Sequence, residues 1–247
     1  MTRPLTLQDF PLAAGIQAIR DSLTFTDFNA FYRHLQDNLP QNSPETRRRY
    51  AALIVRWFFP QRKLDSLPPR TWQAYGDHEL LLDLIRASVL EVEPVIARFV
   101  VEVVQPLSAG DYLDSLAVRD YVTTVYGAYK ENSHKRLLRT AHDLGFIDRV
   151  GGRWSVAAIE PPADALLVLL HARLAPTPRI VRLSELLAEP FWRYLGFRRP
   201  DEVRAVLHSA DTEGLVARYT AVDQLEQVTT RYTLEEYLDR ALRLRSR

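Results

Sequence analysis

The chain has 247 residues, 47% hydrophobic and 26% charged, with a formal net charge of +1. These are the values of an ordinary globular protein, long enough to bury two or three small cores. It has no cysteine, which excludes disulfides and thiolate metal sites and fits a reducing cytoplasm.

The N-terminal segment MTRPLTLQDF lacks the apolar core of a signal peptide. From Thr24 to Leu35, Phe25, Phe28, Phe31, Tyr32 and Leu35 recur at three- and four-residue spacings, which predicts a helix with one buried face. Ser43-Pro44-Glu45 reads as a helix start, with serine as cap and proline in the first turn. The helix that follows, Glu45 to Phe59, turns Tyr50, Leu53, Ile54, Trp57 and Phe58 inward and ends at Pro60. Two more apolar helices are expected at Asp77–Val92 and Pro94–Val104, bounded by Pro94 and Pro106. Residues 1–108 therefore read as a helical bundle. Its apolar run Val95–Val104 and the later Ala165–Leu170 are short of the roughly 20 residues a membrane span needs.

Residues 109–160 form the next expected domain. A short helix is predicted at Asp111–Leu116 and a longer one at Val118–Tyr129, with Val122, Val125 and Tyr126 inward. Glu131-Asn132 is expected to turn, and Ser133 to cap a helix from His134 to Leu144. Gly145 stops that helix, and Gly151-Gly152 joins two short strands, Phe146–Val150 and Arg153–Ala157, as a hairpin. Helix, glycine stop and hairpin in that order predict a winged helix-turn-helix.

After Pro161-Pro162, residues 161–247 begin with an apolar helix, Asp164–Leu174, and a proline-containing link. Short helices at Leu183–Ala188 and Phe191–Leu195, a helix from Pro200 to Ser209 and strands at Leu215–Thr220 and Gln227–Leu234 then repeat the order helix, turn, helix, hairpin. This predicts a second winged-helix-like unit, followed by a terminal helix, Glu235–Arg245. The fold class expected is mainly α.

Burial of Leu137, Leu138, Ala141 and Leu144 would leave Lys135, Arg136, Arg139 and His142 on outer or flanking surfaces, with Arg149 and Arg153 beside the hairpin turn. Ser133 and His134 at the helix start join Lys135, Arg136, Arg139, Arg149 and Arg153 as expected DNA contacts. From Ser133 to Arg153 there are five Lys/Arg against Asp143 and Asp148, a local +3 in a nearly neutral chain. A basic helix suits the major groove, and arginine's planar fork suits phosphates and guanine edges. Arg47, Arg48 and Arg49 make a second basic patch, for DNA contact or simple solvation. The helix at Pro200 opens with Asp201 and Glu202, which suits packing or partner contact better than DNA. The tail arginines Arg240, Arg243, Arg245 and Arg247 could steer towards phosphate.

Catalytic motifs are absent from the sequence: no phosphate-binding glycine loop, no nucleotide fingerprint, no serine elbow and no paired-histidine zinc motif. The carboxylates Asp77, Glu79 and Asp83, and the pair Glu91 and Glu93, read as solvated helix edges. A non-enzymatic protein without cofactor or metal is expected.

The stretches SPETRRRYAALIVRWFFP, LLLDLIRASVLEVEPVIARFVVEVV and NSHKRLLRTAHDLGFID, with the hairpin after them, resemble BrxA-type proteins of BREX phage-defence systems. The resemblance spans about residues 40–160. It implies a NusB-like helical N-terminal domain and a winged-helix part that binds double-stranded DNA. The matching positions are Ser133, Lys135, Arg136 and Arg139, with Arg47–Arg49 secondary. Other defence-system proteins are possible partners. The alternatives are a protein-interaction scaffold and a ligand-responsive transcription regulator.

Overall fold

The computed structural model describes residues 11–216, 218–222 and 225–245. The side chains of Arg243 and Arg245, all of Arg247 and the middle of the loop expected at 221–226 lie outside the described residues. In chain order the helices are α1 (Leu12–Ser22), α2 (Phe28–Asn38), α3 (Pro44–Phe58), α4 (Leu67–Tyr75), α5 (His78–Val92) and α6 (Pro94–Phe99), which continues as a π turn over Val100–Val104. Then come α7 (Ser115–Tyr126), α8 (Glu131–Asp143), β1 (Ile147–Val150), β2 (Arg153–Val156), α9 (Ala163–Leu174) and β3 (Ile180–Arg182). The chain closes with α10 (Leu183–Ala188), α11 (Phe191–Tyr194), α12 (Pro200–Thr212), β4 (Arg218–Val222), β5 (Leu225–Thr229) and α13 (Leu234–Arg245). The protein is mainly helical, with two small antiparallel sheets.

Two compact units form, and they do not follow the expected three-part division. The first takes residues 1–62 and 88–160, the second residues 63–87 and 161–247. The cause is apolar matching. Leu80, Leu84 and Ala87 of α5 are buried in one core with Leu166 and Leu170 of α9 and Leu207 of α12. A fully buried leucine is stabilised by about 1.5–3 kcal/mol, which outweighs proximity along the chain.

In the first unit, α3 starts as its sequence dictates: the Ser43 hydroxyl accepts the Thr46 N–H and Pro44 occupies the first helical position. Ala51, Ile54, Trp57 and Phe58 are buried, while Tyr50 and Leu53 are only half-buried. The helix expected from Thr24 begins later, at Phe28, because the Asp27 carboxylate accepts the Ala30 N–H and caps it there. Glu93 corrects an expectation. It lies between α5 and α6, is 8% exposed, accepts the Trp57 indole N–H at 2.7 Å and pairs with Arg56.

In the second unit β3, β5 and β4 lie side by side in that order, all antiparallel. β3 is unexpected, since the prolines before it mask a three-residue strand. The other two strands are shifted from the expected positions: β4 starts at Arg218, and β5 covers Leu225–Thr229 rather than reaching Leu234. Asp83 is not a solvated edge either. It pairs with Arg86 at 2.9 Å, and burial pushes its carboxyl up to about 6.

Candidate nucleic-acid interface

The residues singled out around Ser133–Arg153 belong to α7, α8 and the β1–β2 hairpin, all in the first unit. The expected helix at Asp111–Leu116 does not form. Instead residues 110–113 run along the free edge of β2: Tyr112 bridges Ser155, and the Leu113 N–H donates to the Trp154 carbonyl at 2.9 Å. The Asp114 carboxylate then accepts the Leu116 N–H at 2.9 Å and starts α7, burying Val118, Tyr121 and Val122. Gly127, at φ +73°, ends it, a conformation that costs a glycine nothing.

The turn between the helices therefore falls at Gly127–Tyr129, not at Glu131-Asn132. Lys130 is extended and α8 begins at Glu131, whose carboxylate suits the positive end of the helix dipole. Ser133 is thus not a cap. It is the third helical residue, 3% exposed, and faces inward with Leu137, Thr140 and Ala141. It cannot reach a DNA phosphate from there. The other face of α8 carries Lys135, Arg139 and His142 exposed, with Arg136 half-buried. Lys135 forms an ion pair with Glu131 at 2.6 Å, and Arg136 and Arg139 also make contacts within the protein. His134 sits on the flank of the helix, edge-on to Tyr129 with ring centroids 5.7 Å apart, and burial lowers its pKa.

After Gly145 the chain enters the hairpin directly, the Phe146 N–H returning to the Ala141 carbonyl at 2.9 Å. Gly151 and Gly152 both have positive φ, 57° and 82°, as a two-residue turn matched to strand twist requires. The register pairs Arg149 with Trp154 and Val150 with Arg153. Since side chains alternate along a strand, Arg149 and Arg153 project from opposite faces of the hairpin rather than together from its tip. Each has an aromatic platform: Arg149 lies 5.5 Å from the Trp154 ring centroid, Arg153 3.9 Å from that of Tyr112. Both arginines are exposed.

Two further cations flank the α7–α8 turn. Arg119 lies 4.9 Å from the Tyr129 ring centroid and Lys130 5.3 Å from that of Tyr126. The tyrosines three residues apart at the end of α7 were the available signal for them. Arg47–Arg49 stand on α3, which packs against α1 and α2, whereas α8 packs against α6, α7 and β1. Arg47 donates to the Gln41 carbonyl at 3.1 Å, Arg49 lies 5.9 Å from the Tyr50 ring centroid, and Arg48 is exposed.

The second unit repeats the chain order with different electrostatics. Helix α9, strand β3, helices α10 to α12 and the β4–β5 hairpin follow the order of α6, residues 110–113, α7, α8 and the β1–β2 hairpin, with three helices in place of two. In both, the last strand lies between the first and the second. On α12, however, Arg204 is held by Glu226 at 2.8 Å and by Asp201 at 2.7 Å, and the Glu202 carboxylate accepts the backbone N–H groups of Arg198 and Arg199. These bonds raise the pKa of Arg204 and lower that of Glu226. Of the tail arginines, Arg240 is bound to the Gly214 carbonyl at 3.1 Å.

Among the described residues no helix is long and apolar enough to cross a membrane, and no group of three or more His, Asp or Glu side chains is arranged to hold a metal ion. No protein-family model, curated protein or solved structure matches the chain.

Proposed function

We propose that the chain is a non-enzymatic, double-stranded DNA-binding accessory protein of a BREX-like phage-defence system, with a NusB-like helical part and two winged-helix units. The observation that carries the DNA reading is the exposed Lys135–Arg139 stripe of α8 beside a hairpin whose two arginines rest on aromatic rings. The winged-helix reading is supported by the order helix, strand segment, two helices, hairpin, with the last strand central. A helix on such a frame presents side chains to the major groove, and the hairpin presents cations to the flanking backbone. The defence assignment rests on the sequence resemblance over about residues 40–160.

The second unit favours a different use. With Arg204 neutralised by Glu226 and Asp201, α12 has little to offer phosphate, so this unit serves as a docking surface for another component of the system. The test of the main reading is a salt series with labelled duplex. Five cations (Lys135, Arg136, Arg139, Arg149, Arg153) predict a log–log slope of about −4.5, or roughly a 500-fold loss of affinity between about 50 and 200 mM salt. Replacing Lys135, Arg136 and Arg139 together by alanine should reduce the slope to about −2. Duplex binding that neither weakens with salt nor responds to that variant would rule the reading out.

A further inference from the structure

A cavity of about 370 Å³ opens between the first turn of α7, one flank of α8 and the hairpin tip. Its size is in the range of small-molecule sites rather than of packing defects. Its lining includes the apolar Val118 and Leu138, which are 2% and 5% exposed, and the half-buried Trp154. The polar lining residues are mixed in sign: Asp114, Ser115, His134 and Arg153. His134 adds a specific feature. Its Nδ1 is enclosed and has no hydrogen-bond partner. An enclosed lone pair is tolerated better than an enclosed N–H, which puts the ring proton on Nε2 as a donor.

Apolar lining residues with a tryptophan among them suit a planar ring system. The lining carries one acidic and one basic residue, Asp114 and Arg153, so a strongly charged ligand is disfavoured. What remains is a neutral heteroaromatic with amine donors and ring acceptors along its edges. The geometry points to a purine-base pocket, in which the base lies on Val118, Leu138 and Trp154 and offers its amine edge to Asp114. Base–aromatic stacking tolerates every base, so selectivity comes from the polar lining residues. The same chemistry is available from a free nucleoside and from a base turned out of a bound duplex.

Two assays on the full chain separate these sources. Equilibrium dialysis with labelled adenosine and guanosine, without DNA, reads the free base. Fluorescence of 2-aminopurine placed in a duplex reads an unstacked base. Ser115 is exposed at the start of α7, so Ser115→Trp fills the mouth of the cavity; Asp114→Asn keeps a cap acceptor but removes the charge. The expected result is retention of one purine nucleoside, brightening of the 2-aminopurine duplex, or both, weakened at least about tenfold by Ser115→Trp and about threefold by Asp114→Asn. If Ser115→Trp does not fold, Asp114→Asn decides alone. Absence of both signals in the wild type, or signals untouched by the folded variants, overturns the proposal. Duplex binding without either signal removes the pocket alone. Nucleoside retention without duplex binding removes the DNA reading and keeps the pocket.

Discussion

Lys135 Nζ lies 2.6 Å from Glu131 Oε1, one turn back on the same exposed face of α8. The strongest lysine candidate for phosphate contact is therefore partly occupied by its own helix. Glu131→Gln should raise duplex affinity about three- to tenfold at low salt, an advantage that shrinks as salt screens the pair. Fluorescence anisotropy at two salt concentrations measures it, and an affinity that does not rise at low salt would show that Lys135 takes no part.

The aromatic platforms of the hairpin give a second prediction. Arg153 lies 3.9 Å from the centroid of the Tyr112 ring. Tyr112→Phe should leave duplex affinity within about twofold, because the ring face that attracts the cation is kept. Tyr112→Leu should weaken binding several-fold with the fold intact. Arg153→Ala should lower the salt slope by about 0.9, the signature of one lost phosphate contact.

Stability should depend on pH through His171. This residue is 1% exposed, stacks on Tyr237 at 4.0 Å, and burial holds its pKa down at about 4. An unfolded histidine titrates near 6.5, so between those values the unfolded chain takes up a proton that the folded one refuses. The contribution is thus present in full above about pH 6.5 and is lost as the pH falls towards 4, on the order of 3 kcal/mol in total. Asp83, raised to about 6, acts in the opposite sense by binding its proton more tightly in the folded state. The His171 effect is therefore read as the difference between wild type and His171→Phe in urea melts at several pH values. That difference should shift in favour of the variant as the pH drops.

Glu93 stabilises the first unit through Trp57 and Arg56. Glu93→Ala should cost about 2–3 kcal/mol, below the value for a fully enclosed pair because Arg56 keeps part of its surface in water. Chemical denaturation should show the loss in the transition of the first unit.

Tight packing makes a final prediction at Gly15. A Cβ added there would lie 2.8 Å from Phe58 Cε2, a buried ring with little room to move. Gly15→Ala should destabilise by about 1–3 kcal/mol despite alanine's better helix propensity, as thermal melting would reveal.

What could be read in the sequence was local chemistry. Ser43-Pro44 starts α3, Leu183–Ala188 is a helix, and Gly151-Gly152 turns the hairpin, because each depends on a few neighbouring residues. The misreadings depend on partners far along the chain. Strand β3 is held by β5, and residues 110–113 by β2. Glu93 looked solvated because its partners, Arg56 and Trp57, are some 36 residues away. Ser133 looked like a cap because serine is a common one, yet Glu131 started the helix two residues earlier. The opposed placement of Arg149 and Arg153 was within reach, since a two-residue turn fixes the register and the period of two does the rest.

The interleaving of the two units bears on how the chain is made. Leu80, Leu84 and Ala87 leave the ribosome long before α9, α12 and α13, which supply much of the core they share, have been synthesised. During that interval the nascent protein displays an apolar stripe whose native core is incomplete. Cutting the gene at residue 108 or 160 would make the same state permanent, so a soluble C-terminal fragment has to carry residues 63–87 with it.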